Sequence, residues 1–146
     1  MSETLSPVMT VEELRKFMDE AFPQVNMAGK HYFIDGLDAG AATMRLESAE
    51  LHLRPGGTIS GPTMFTLADY AAYAVILGHI GPVGLAVTTN LNINFLRKPD
   101  PGTLLADGRL MKLGKRLAVV DICIRKPDDN DLIAHATATY SIPPDR

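Results

Sequence analysis

Residues 60–79 read SGPTMFTLADYAAYAVILGH, from Ser60 to His79. The run has helical length and is almost wholly apolar, with a single carboxylate, Asp69, near its middle. Met64, Phe65, Leu67, Ala68 and every residue from Tyr70 to Leu77 leave no polar face. A helix that is apolar all round is expected to be buried, so this segment is expected at the centre of the fold with Asp69 at least partly buried beside it.

The flanking sequence supplies what surrounds that helix. On the N-terminal side, Thr10-Val11-Glu12-Glu13 has the form of a capping box, and Val11, Leu14, Phe17, Met18 and Phe22 recur at helical spacing until Pro23. Residues 30–36 and 41–47 read as two strands of a hairpin, with Leu51 to Leu53 extending or following the second. On the C-terminal side, Gly81-Pro82-Val83-Gly84 is a turn, and residues 86–95, rich in Val, Thr, Ile and Asn, alternate as a long strand. Residues 104–113, 117–125 and 132–142 repeat that pattern between Pro101-Gly102, Gly114-Lys115 and Pro127-Asp128-Asp129-Asn130. Four successive strands after one long helix predict an α+β fold with an antiparallel sheet wrapped over that helix. At 146 residues the chain suits one domain.

An ionised carboxylate left in apolar surroundings costs several kcal/mol unless it is paired, hydrogen-bonded or opened to water. Asp69 stands about two turns beyond the helix start, too deep to cap its own helix. It is therefore either held in a buried hydrogen-bond network or kept for chemistry. At the helix start, Gly61 permits close approach of a ligand to the backbone, and Pro62 fits the first helical position, where no intrahelical donor is needed. Free N–H groups at a helix N-terminus stabilise a developing oxyanion. An oxyanion site and an acid on one helix suggest acyl chemistry.

Composition narrows the alternatives. The formal net charge is −3, which argues against a nucleic-acid binder working through a broad basic face. The single cysteine, Cys123, excludes an intrachain disulfide framework and a cysteine-rich zinc site, and is expected to be a core residue of its strand. The N-terminus lacks a basic region followed by an apolar core, and no apolar run reaches spanning length without a charge or glycine, so a cytoplasmic protein with no membrane partner is expected. His31, His52, His79 and His135 are scattered without metal-ligand spacing, and neither a phosphate loop nor a dinucleotide fingerprint is present, so no metal or cofactor is expected. Ser60 lies outside any G-x-S-x-G string and reads as a helix N-cap.

The string His52-Leu-Arg54-Pro-Gly-Gly57-Thr-Ile-Ser60-Gly61-Pro62, followed by Phe65-Thr66-Leu67-Ala68-Asp69, resembles the H-x-N-x-x-G-x-x-H-G-G…L-A-D signature of hotdog-fold acyl-CoA thioesterases of the phenylacetate-pathway (PaaI-like) group. Asn92 to Pro99 resembles their N-I-x-F-L-R-P strand end, and Leu113 to Ala118 their G-K-R turn. The resemblance spans Leu51 to Ile142. It implies a single hotdog domain, with the helix over about 10–22 as an appendage, and a homodimer or dimer of dimers with sites between copies. It also implies hydrolysis of an acyl-CoA, with Gly61 offering its N–H to the thioester carbonyl. Asp69 of the facing copy would activate water or attack directly, with Thr88 orienting the water. Three positions depart from the signature: Arg54 for Asn, Ser60 for His and Pro62 for the second Gly. Arg54 is expected to polarise the carbonyl or bind a substrate carboxylate, and Ser60 and Pro62 to border the substrate. Arg97, Lys98, Lys112, Lys115 and Arg116 are candidates for the coenzyme A phosphates, because Arg and Lys make charge-assisted contacts to phosphate. The departures also suit an alternative, a non-catalytic hotdog module that binds an acyl-CoA or related ligand. A hydratase on the same fold would want a paired Asp and His near a helix start, which this string lacks.

Overall fold

The computed structural model describes residues 5–144. Helix α1, Val11–Ala21, starts at the expected capping box: Thr10 accepts from the Glu13 N–H, and Glu13 accepts from the Thr10 N–H. Strands β1, Tyr32–Asp38, and β2, Ala41–Glu47, form the hairpin. Helix α2, Gly61–Ile80, is followed by β3, Val87–Phe95, β4, Thr103–Leu113, β5, Leu117–Arg125, and β6, Ala134–Ser141. The segment expected to extend or follow β2 is instead a short 3₁₀ turn, Glu50–His52.

All pairings are antiparallel, in the order β1-β2-β4-β5-β6-β3. Strand β5 alternates strictly: Ala118, Val120, Ile122 and Ile124 are buried beneath α2, while Asp121, Cys123 and Arg125 lie on the outer face. Cys123 is therefore not the core residue expected of it. An alternating strand puts positions of one parity outside, and Cys123 shares its parity with Asp121 and Arg125.

By length and composition α2 is apolar enough to cross a bilayer, yet most of it is enclosed by the sheet. Small residues let it lie close: Ala68, Ala71, Ala72 and Ala74 on the helix and Ala106, Ala118, Ala136 and Ala138 on the strands are all buried. The tightest point is Gly108 of β4, where an added Cβ would sit 3.2 Å from the Ala71 carbonyl oxygen. Gly108→Val places two further carbons against that backbone. The expected cost is roughly 1–3 kcal/mol of overpacking, read as a lower denaturation midpoint at unchanged m-value.

The N-terminal helix is more than an appendage. Leu14 and Met18 are core residues, and Arg15 donates through Nε and Nη2 to the Ile34 carbonyl of β1, at 2.9 and 2.7 Å. The sheet's far edge is unusual in the opposite sense: β3 has no buried residue, carries neither charge nor proline, and pairs only with β6. Its other edge offers open backbone donors and acceptors over nine residues. Soluble proteins ordinarily blunt or cover such an edge.

Candidate active site

Ser60 caps α2 as expected, accepting from the Thr63 N–H at 3.2 Å, with its Oγ 2.8 Å from Thr63 Oγ1. The helix begins at Gly61, so Pro62 occupies the second helical position rather than the first. The opening N–H groups can then be accounted for one by one. Ser60 donates to the His52 carbonyl, Pro62 has no N–H, and Thr63 and Met64 donate to the side chain and carbonyl of Ser60. Among the described residues, the Gly61 N–H alone of this first turn is left without an acceptor. Gly61 lines an apolar groove of about 490 Å³ together with Pro62, Phe65, Thr66, Ile93 and Phe95.

Asp69 lies eight residues further along α2, half-buried in the wall of a separate cavity of about 290 Å³. Thr88 Oγ1 donates to Asp69 Oδ1 at 2.7 Å, and the Tyr140 hydroxyl donates to the same oxygen at 2.7 Å. Tyr140 also lies 3.1 Å from the Asp69 carbonyl oxygen. Register explains the convergence. Thr88 of β3 pairs directly with Tyr140 of β6, and an irregularity in β3 between Thr88 and Asn90 re-aims the strand at that point. One carboxylate oxygen is thereby fixed by two hydroxyl donors, while Oδ2 accepts no hydrogen bond from the described residues. Burial, and then the Asp69 charge, push the Tyr140 hydroxyl far above its ordinary pKa, so it stays a neutral donor.

Phe22, Tyr70 and Tyr73 form the aromatic wall of this cavity, with Phe22 edge-on to both tyrosines at ring-centre distances of 5.8 and 5.7 Å. Phe22 follows directly on α1, which is how the N-terminal helix reaches the site. Sequence reading missed Tyr140, Phe22, Tyr70 and Tyr73 as site residues. A signal for Tyr140 was present: Ala134, Ala136, Ala138 and Tyr140 form the inward row of β6, and a buried tyrosine needs a partner for its hydroxyl.

The basic candidates do not gather on one chain. Arg54 is exposed in the turn between Leu53 and Ile59, just before Gly61, and makes no ion pair among the described residues. Arg97 and Lys98 are exposed just beyond Phe95, with Arg97 3.6 Å from Asp131. Lys112, Lys115 and Arg116 are exposed around the β4–β5 turn, at the Val87 end of the sheet. His52 is buried with its Nδ1 accepting from the Ala49 N–H, and burial followed by the nearby His31 lowers its pKa.

Residues 56–133, from the turn before α2 to the approach to β6, match a known family. The chain belongs to the thioesterase superfamily. It has the hotdog fold of that family. A solved thioesterase-named structure from Silicibacter sp. TM1040 is 46% identical, with a TM-score of 0.87 and 97% of each chain covered. A Saccharolobus solfataricus protein named as an esterase is 31% identical over 97% of this chain and 91% of its own. A Streptococcus mutans structure bound to acetyl CoA is 28% identical, with a TM-score of 0.68, covering 78% of this chain and 90% of that one.

Proposed function

We propose that this thioesterase-superfamily protein hydrolyses an acyl-CoA thioester to the free acid and CoA, in a site built from two copies of the chain. The observation that carries the reading is the Asp69 carboxylate, with one oxygen tied by Thr88 and Tyr140 and the other left to the cavity. The acetyl-CoA-bound relative supports CoA as the carrier.

Two copies are needed because eight helical residues separate Asp69 from Gly61 by about 12 Å, more than one thioester carbonyl can bridge. The open edge of β3 supplies the means. An antiparallel pairing of β3 with a second copy, centred on Leu91, sets Thr88 of one chain opposite Asn94 of the other. That brings the Asp69 end of one copy to the Gly61 end of its mate. Leu85, Val87, Phe95, Leu96 and Phe65 are exposed apolar residues on or near this edge, the kind of surface an obligate dimer covers. The same pairing draws Arg97 and Lys98 of one copy towards Lys112, Lys115 and Arg116 of the other, around one entrance where CoA phosphates would lie.

In this site Asp69 Oδ2 takes a proton from water as the water oxygen attacks the thioester carbon, or attacks that carbon itself. The Gly61 N–H of the second copy holds the oxyanion. On the general-base route the C–S bond then breaks and the thiolate leaves, taking up the proton held by Asp69; on the nucleophilic route the thiolate leaves a mixed acyl anhydride on Asp69, which water hydrolyses to the free acid while the water's proton passes to the thiolate. Pro62 leaves only one backbone donor, and Ser60 is committed to capping, which favours the alternative of an acyl-CoA binder that does not turn over.

A panel of neutral, aromatic and acidic acyl-CoAs assayed with a thiol-trapping reagent separates the two readings. The proposal expects thiol release, with Arg54→Asn shifting the preference between acidic and neutral acyl groups. Tight binding without release across the panel would favour the binder. Light scattering is expected to give a dimer or tetramer mass, and a monomer mass would remove the composite site.

A further inference from the structure

We propose that Asp121, Cys123 and His135 form a binding site for a thiophilic divalent cation of the zinc class, on the outer face of the sheet and away from Asp69. Asp121 and Cys123 are two residues apart on β5 and so share a face, and His135 of β6 is the direct cross-strand partner of Cys123. One carboxylate oxygen, one sulfur and one imidazole nitrogen lie within 4.8 Å of one another. His135 Nε2 is 2.5 Å from Asp121 Oδ1, and Cys123 Sγ is 4.0 Å from Asp121 Oδ2.

The donor set selects the ion. Thiolate and imidazole favour zinc or cobalt over calcium and magnesium, which take oxygen ligands. With zinc bonds of about 2.0–2.3 Å, tetrahedral donors stand roughly 3.3–3.7 Å apart. The two short contacts run to different oxygens of Asp121, so for one oxygen to serve as ligand the His135–Asp121 contact must open and the sulfur, within 4.8 Å of the other two donors, must close, each by about 1 Å, within reach of side-chain rotations for three half-buried groups. A depression of about 350 Å³ lined by Thr43, Asp107, Arg109, Asp121 and Cys123 leaves room for a water as fourth ligand. Asp107 does not compete, since Arg125 Nε and Thr43 Oγ1 already donate to it at 2.7 and 3.0 Å. Arg109, paired in register with Asp121, is a neighbouring cation that offsets the two anionic ligands. The expectation of no metal rested on linear spacing alone, and a site assembled across two strands has none to show.

The test titrates untagged, chelator-treated full-length protein with Co²⁺ and Zn²⁺. One equivalent of Co²⁺ per chain is expected, with a thiolate-to-cobalt charge-transfer band and the strong visible bands of a four-coordinate ion, displaced by Zn²⁺. Zn²⁺ should also raise the melting temperature by tying β5 to β6. Cys123→Ser should lose the charge-transfer band, and His135→Gln should weaken binding by about tenfold or more, both at unchanged circular dichroism. Absence of stoichiometric binding, or a cobalt spectrum identical in Cys123→Ser, would overturn the proposal.

Discussion

Asp69→Asn is expected to cut single-turnover thioester hydrolysis by ~10²–10⁴-fold, the usual contribution of a positioned base, while melting within a few degrees of the parent. The geometry makes this substitution unusually clean. Both hydroxyl donors, Thr88 and Tyr140, converge on Oδ1, and an asparagine oxygen can accept from both. The replaced atom is Oδ2, which has no partner among the described residues, so the fold loses no hydrogen bond when it becomes an amide nitrogen. What disappears is the negative charge and the proton acceptor facing the cavity. If Asp69 were only structural, the pattern would invert. Activity would then stay near the parental rate, since asparagine keeps both hydrogen bonds, and would fall only as far as the protein unfolds.

Gly61→Pro is expected to lower turnover by about 10²–10³-fold, the effect of deleting one oxyanion donor. Ser60 already holds φ −75° and ψ 154°, the extended conformation that a residue before proline requires, while position 61 is itself helical ahead of Pro62, so the variant's melting temperature is read beside its turnover. Gly61 is also the first helical residue, where the missing N–H breaks no helix bond. The new ring would meet Phe95, whose Cζ lies 3.3 Å from a Cβ built at Gly61. Phe95 is half-exposed and can give way. Since Pro62 has already removed the next donor, no second N–H can substitute, and turnover at the parental rate would show that the oxyanion is held elsewhere.

Much of this was legible in the sequence because it is written locally. The capping box at Thr10, the Ser60 cap and the unbroken apolar run of α2 depend on neighbours a few residues away. So do the turns that separate the strands. Asp69 was conspicuous for the same reason, as one charge inside an apolar run. Tyr140 was not, because its contact with Asp69 spans 71 residues and exists only through the register that pairs it with Thr88. The strand of Cys123 was readable but not its face, which depends on which parity the helix covers. The basic residues could be named but not grouped, since Lys112 and Arg97 fall at opposite ends of the sheet and meet only in the proposed pairing of two copies.

The most direct measurement of the central claim is complementation between the two inactive variants. Asp69→Asn and Gly61→Pro chains, co-expressed in equal amounts and purified together, form hybrids in which one of two sites takes Asp69 from one chain and Gly61 from the other. The composite site predicts recovery to about a quarter of the parental activity per chain, since half the dimers are hybrid and each hybrid has one intact site. A mixture that elutes as the parental oligomer yet hydrolyses no faster than the separate variants would contradict it.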